Sequence, residues 1–200
     1  MRTKILGLLA VGLFAGGTAQ AAVVFSDDFS GYGATTVLNA PDSLFGGVWT
    51  TTDGTVDCIA PPFASFYGLC RGTGSCIDLD GSSSDAGIFS TVQSFSAGTY
   101  TLAITLFGSS RGSSEDVTIT LGDWSTLIGP IGSSDHASTS FVFQTNGGAL
   151  TFANAGGDTL GAVLSSVSLS SQTTSVPEPG TLALLGVGLA GLGLSRRRKA

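Results

Sequence analysis

One stretch constrains the chain more than any other. In Gly98–Phe107, the apolar residues Tyr100, Leu102, Ile104 and Leu106 alternate with Thr99, Thr101, Ala103 and Thr105. A period of two gathers the apolar set on one face and the hydroxyls on the other, which is the pattern of a strand buried on one side. The pattern recurs at 116–121 (Val117, Ile119, Leu121), 140–144 (Phe141, Phe143), 149–153 (Leu150, Phe152) and 162–170 (Val163, Val167, Leu169). Weaker runs lie at 23–25, 48–51, 55–59, 76–79 and 88–95. Gly, Ser, Asp and Asn fill the gaps, as turns require. Asn146-Gly147-Gly148, between two alternating runs, reads as a hairpin turn. No window of the middle segment holds a helical period. Roughly eight to ten short strands predict an all-β domain, a β-sandwich of the jelly-roll kind. The roughly 154 residues from Ala22 to Ser175 suffice for a two-sheet core. Without a fixed repeat, a solenoid ranks low.

Charge then limits the partners. Of 8 basic residues, Arg2, Lys4, Arg196, Arg197, Arg198 and Lys199 stand at the two ends. Between Ala22 and Ser175 only Arg71 and Arg111 are basic, against 13 acids, a net of −11 with no lysine. Phosphate contacts need clustered cations, so nucleic-acid binding is excluded. Docking of this segment on anionic lipid is excluded on the same ground. With 42% apolar residues the chain is not of a disordered composition.

The ends read as addresses. Arg2 and Lys4 precede an uncharged stretch at 5–17, and Ala19-Gln20-Ala21 is an A-x-A cleavage site. This order is that of a secretory signal peptide over 1–21, with a short signal helix and a mature chain from Ala22. At the other end, Val176-Pro177-Glu178-Pro179-Gly180 leads into an uncharged stretch to Ser195, then Arg196-Arg197-Arg198-Lys199. As a helix the stretch 180–195 spans roughly 24 Å against a hydrocarbon core of about 30 Å, a marginal crossing suited to a temporary anchor. The basic cluster would stop transfer and stay cytoplasmic. Gly186-Val187-Gly188-Leu189-Ala190-Gly191 spells a dinucleotide motif but lacks the strand before it and the acid after it. Its glycines read as helix packing in lipid.

These residues carry a resemblance. The order Pro-Glu-Pro, short Gly/Leu/Ala helix and terminal Arg cluster over 176–200 resembles the PEP-CTERM sorting signal, also called an ice-binding-protein C-terminal domain. The resemblance implies a Gram-negative host that makes exopolysaccharide and an exported protein carried by the secretory translocon. It also implies an inner-membrane-tethered intermediate, processing by an exosortase that reads Val176, Pro177, Glu178 and Pro179, and a final place at the cell surface or in a biofilm matrix. In the middle, Ala97-Gly98-Thr99-Tyr100-Thr101-Leu102, Gly108-Ser109-Ser110-Arg111-Gly112, Cys76-Ile77-Asp78-Leu79-Asp80-Gly81 and the run from Phe152 to Ser168 resemble galactose-binding-like sandwiches of PEP-CTERM proteins. That resemblance implies carbohydrate binding and a structural Ca2+. The chain has Ser165-Ser166 where an Asp-Asn pair is expected.

Side chains that bear chemistry are few. Cys58, Cys70 and Cys76 leave one thiol over from one internal bridge, with Cys70–Cys76 preferred and the other pairings open. Asp78 and Asp80 alternate before Gly81, and Asp27-Asp28 form a second pair; each reads either as a Ca2+ site or as a solvated turn. Trp49 and Trp124 read as sugar-stacking platforms or as core. His136 reads as a surface loop residue before it reads as a hydrolase base. The expectation is a non-enzymatic exported protein whose sandwich binds carbohydrate. The alternatives are a structural or adhesive protein without a saccharide site and, behind it, an exported hydrolase.

Overall fold

The computed structural model describes residues 21–32, 35–60, 70, 74–172, 186 and 188–189. The chain divides into a body, Ala21–Gln172, and a second unit of Met1–Gln20 with Thr173–Ala200. Of the second unit only Gly186, Gly188 and Leu189 are described, with helical backbone. The expected signal helix and membrane-crossing helix therefore lie outside the described residues. Among the described residues no helix is long and apolar enough to cross a membrane.

The alternating runs become strands: β1 (Ala21–Asp27), β2 (Trp49–Thr52), β3 (Asp57–Ile59), β4 (Cys76–Asp78), β5 (Ile88–Phe95), β6 (Gly98–Phe107), β7 (Ser114–Leu121), β8 (Trp124–Gly132), β9 (His136–Thr145), β10 (Gly148–Asn154) and β11 (Val163–Gln172). One sheet runs β3-β4-β11-β6-β9, with β1 also paired to β11; the other runs β2-β5-β10-β7-β8. All pairings between these strands are antiparallel. The fold is an all-β sandwich. Among the described residues of the body, a 3-10 turn at Asp42–Phe45 is the one helical element.

Connections decide where each face goes. Only β3–β4 and β7–β8 follow one another within a sheet; every other step between consecutive strands crosses from one sheet to the other. This corrects the expected hairpin at Asn146-Gly147-Gly148. That turn carries the chain from β9 in the first sheet to β10 in the second. Gly147 has φ +91° and lies against another crossing, the one from β5 to β6: a Cβ there would stand 2.8 Å from Ser96 C and 2.9 Å from Ala97 N. The glycine serves a close backbone approach as well as the turn. The tight hairpin is instead β7–β8, closed by Gly122-Asp123 with Gly122 at φ +61°.

The inward faces match the period-two reading. Tyr100, Leu102, Ile104 and Leu106 of β6 are buried with Val117, Ile119 and Leu121 of β7 and with Leu150 and Phe152 of β10. In β11 both Val163 and Leu164 are buried, because a bulge at Ser165 shifts the register and restores Val167 and Leu169 to the core. Val163 belongs to a separate small cluster with Ile59, Cys70, Cys76 and Phe107. Strand β8 escapes the sequence pattern. Its Gly129-Pro130 breaks the alternation, a pairing tolerated because β8 is an edge strand. His136, expected in a loop, is the first residue of β9, paired with Phe107.

Candidate functional site

Trp49 is not a sugar platform. It is fully buried, and its ring stacks on Phe89 with centroids 4.4 Å apart and planes 11° off parallel. Its Nε1 donates to Asp27 Oδ2 at 2.7 Å. The same oxygen accepts the Tyr32 hydroxyl, and Asp27 Oδ1 accepts the Phe29 N–H at 2.8 Å. Three internal donors thus hold the Asp27 carboxylate. Beside it, Asp28 Oδ1 accepts the Ser30 hydroxyl at 2.6 Å and the Ser30 N–H at 3.1 Å. The side-chain bond to Ser30 is the first cause that holds Asp28 below the usual carboxylate range. This is an Asx turn, not an ion cage.

Asp78 and Asp80 are also engaged separately. Arg111 Nη2 meets Asp78 Oδ2 at 2.6 Å, and Asp78 Oδ1 accepts the Asp80 N–H at 3.2 Å. Burial pushes the Asp78 carboxyl up to about 8, against the opposing pull of Arg111. Asp80 Oδ2 accepts the N–H groups of Gly157, Asp158 and Thr159 at 2.9, 3.1 and 3.2 Å. Those amides form a nest of the kind that binds anions, filled here by a side chain of the same body. Asp80 Oδ1 is buried and accepts no hydrogen bond, so its own body engages only one oxygen of this carboxylate. Among the described residues no three His, Cys, Asp or Glu gather as a metal site.

Cys70 and Cys76 form a disulfide with Cα atoms 5.6 Å apart, and Cys58 is a free, buried thiol that burial pushes up to about 11. Trp124 is half-buried and stacks on Phe143 at 3.8 Å. It closes the seam between the edge strands β8 and β9, so it too is packing. Gly108-Ser109-Ser110-Arg111-Gly112 spells the G-x-S-x-G of a nucleophile elbow, a match that sequence reasoning missed. It joins two strands, β6 and β7, where the elbow requires strand and helix. Ala21 opens β1 opposite Gln172. Ala19, Val176, Pro177, Glu178, Pro179, Arg196, Arg197, Arg198 and Lys199 lie outside the described residues.

The outer face of the first sheet is a different surface. Strands β9, β6, β11 and β1 lie side by side, and their outward residues fall into rows. These are Ser138–Thr105–Ser166, Ser140–Ala103–Ser168–Ser26 and Val142–Thr101–Ser170–Val23. Gln144–Thr99 and Gln172–Ala21 extend the face at one end. None of the 13 acids of the body, nor Arg71 or Arg111, occupies an outward position on these strands. Ala103 is the smallest residue of its column, and over it opens a hollow of about 370 Å3 lined by Thr105, Ser138, Ser140, Ser166 and Ser168. Its polar groups are linked: Ser138 Oγ lies 2.8 Å from His136 Nε2 and 3.2 Å from Thr105 Oγ1. At one end, Gln172 Nε2 donates to Thr101 Oγ1 at 3.1 Å. Each hydroxyl can donate and accept. Strands stand about 4.8 Å apart and alternate residues about 6.7 Å, so the rows form a regular grid. Sequence reasoning missed this site because outward Ser and Thr read as ordinary solvated faces. The register that aligns them across four strands is not written in any one segment.

A family model described as the PEP-CTERM protein-sorting motif matches residues 175–199. No curated protein sequence matches the chain. Among solved structures, the K1 cleaved adhesin domain of Lys-gingipain from Porphyromonas gingivalis W83 is similar at 13% identity and TM-score 0.48, over 74% of this chain and 98% of that one. The CBM22-1–GH10 modules of Clostridium thermocellum xylanase 10B, complexed with xylohexaose, are similar at 9% identity and TM-score 0.46, over 78% and 30%. An exo-β-1,3-galactanase from Phanerochaete chrysosporium with β-1,3-galactotriose is similar at 14% identity and TM-score 0.38, over 68% and 29%. The chain spans under a third of the galactanase and of the xylanase. The sorting motif implies export and placement at the cell surface. The chain thus carries a PEP-CTERM protein-sorting motif at residues 175–199, joined to a β-sandwich body.

Proposed function

We propose that this is a non-enzymatic surface protein, processed by an exosortase through Val176–Pro179, whose sandwich binds carbohydrate of the extracellular matrix. The single observation that carries it is the motif at 175–199. The physical logic is a tripartite tail: residues to be read, a short helix to hold them in the inner membrane, and Arg196–Lys199 to stop transfer. The hydroxyl-lined hollow over Ala103 supports the carbohydrate task, because hydroxyls that donate and accept answer those of a sugar. The His136 ring reaches Ser138, and the neighbouring Asp135 carboxylate accepts the Gly132 N–H at 2.7 Å. Intact-mass analysis of the surface protein tests the sorting. In cells with a working exosortase the tail is expected to be missing, and Pro177→Ala with Pro179→Ala to leave it in place at the envelope. A tail retained on the wild-type surface product overturns the reading.

A further inference from the structure

We infer that the face formed by β9, β6, β11 and β1 takes an electrically neutral polysaccharide, lying across several strands, and rejects acidic ones. This rests on the carbohydrate reading and narrows its ligand class. The body carries 13 acids and at most two cations, yet the outward rows of these four strands hold no acid, lysine or arginine. Arg111, the one cation among the described residues of the body, is committed to the buried Asp78. A uronate or sulfate group that docked here would be desolvated with no lysine or arginine to pair it, the His136 imidazole at the rim being bonded to Ser138, which is costly. It would also have to approach through the negative field of the rest of the body. A neutral chain meets neither penalty. It finds hydroxyl partners at Thr105, Ser138, Ser140, Ser166 and Ser168 around the hollow. Val142 and Val23, 66% and 63% exposed at opposite ends of one row, offer apolar edges to the C–H faces of sugar rings. No Trp or Tyr stands outward on these strands, so no single ring is gripped hard. Affinity must accumulate over rows, and a polymer binds where a monosaccharide does not.

The test uses the purified full chain in affinity electrophoresis against soluble xylan, mixed-linkage β-glucan and galactan, and against alginate and hyaluronan. Retardation by at least one neutral polymer and by neither acidic one is expected. Ala103→Asp and Ser140→Asp, which place a carboxylate in the hollow, should each weaken retention at least tenfold with the melting temperature kept. Ser125→Asp, on the outer face of the opposite sheet, should leave retention unchanged. Binding to alginate or hyaluronan alone overturns the neutral-ligand inference and spares the carbohydrate reading. Retention by no polymer overturns both. Neutral binding that Ala103→Asp and Ser140→Asp leave intact overturns the location. A concentration-dependent dimer that Ala103→Asp abolishes, without polysaccharide binding, assigns the face to a second copy of this chain and overturns the inference.

Discussion

The bond between Trp49 and Asp27 is the sharpest place to test how this body is held. Trp49 is fully buried, so its indole N–H has no water to turn to if Asp27 is lost. Hydrogen bonds to a charged group contribute about 1.5–3 kcal/mol, and an orphaned buried donor costs about 1–3 kcal/mol. Asp27→Ala strands three donors, on Trp49, Tyr32 and Phe29, and should cost about 4 kcal/mol. Trp49→Phe removes one donor and part of the ring while Asp27 keeps two partners, so about 2–3 kcal/mol is expected. The double variant no longer strands the indole. It should be less damaging than the sum of the two by about 1.5–3 kcal/mol. Urea unfolding of the oxidised protein, followed by far-UV circular dichroism, gives all four stabilities. Single losses that add to within about 0.5 kcal/mol would refute the account, because additivity is what independent sites show.

Three further outcomes follow from the same geometry. Asp78 holds its proton up to about pH 8 in the folded body and releases it near 4 when unfolded, so the native state binds the extra proton between those values. Stability should therefore be highest below pH 4 on this account and fall as the pH rises toward 8, a fall that Asp78→Asn should flatten in urea titrations. Reducing Cys70–Cys76 opens a short loop, a sequence separation of 6, and should cost about 2 kcal/mol, read as a lower urea midpoint in dithiothreitol. Because Asp27 and Asp78 hold internal partners on both oxygens, Ca2+ and EGTA should give the same melting temperature; a Ca2+-dependent rise would restore a cation site, with the unpartnered Asp80 Oδ1 as its first candidate ligand.

What could be read from the sequence was what repeats locally. A hydroxyl or methyl side by side with an apolar residue, as in Gly98–Phe107, states its face without knowledge of the partner strand. Asn146-Gly147-Gly148 states only that the chain turns. Whether it turns back within a sheet or across to the other depends on β5 and β10 pairing, far away in sequence. Trp49 and Asp27 are 22 residues apart, and nothing in either segment says that one will hold the other. The same holds for Asp80 and the amides at 157–159. Acidic pairs read as ion ligands because local spacing is all that a sequence offers. The fold gives both oxygens of Asp27 and Asp78 internal partners, and leaves Asp80 Oδ1 buried without one.

The order of export gives the last strand a special weight. β11 is the hub of the first sheet, with β6 on one side and β4 and β1 in succession on the other. β1 leaves the translocon first on the expected route, yet it has no partner until β11 arrives. Signal cleavage after Ala21 would remove the residue opposite Gln172 and leave the ladder intact from Ala22↔Ser171 onward. The sorting motif begins three residues after Gln172. A chain ending at Gly161 loses the buried Val163, Leu164, Val167 and Leu169. At about 1.5–3 kcal/mol each, that is roughly 6–12 kcal/mol, comparable with the whole stability of a domain. The Gly161 truncation should show no cooperative unfolding, while a chain ending at Gln172 should melt as the full body does. A cooperative transition in the shorter chain would show that β11 is an accessory to the sheet and that its closing role is misassigned.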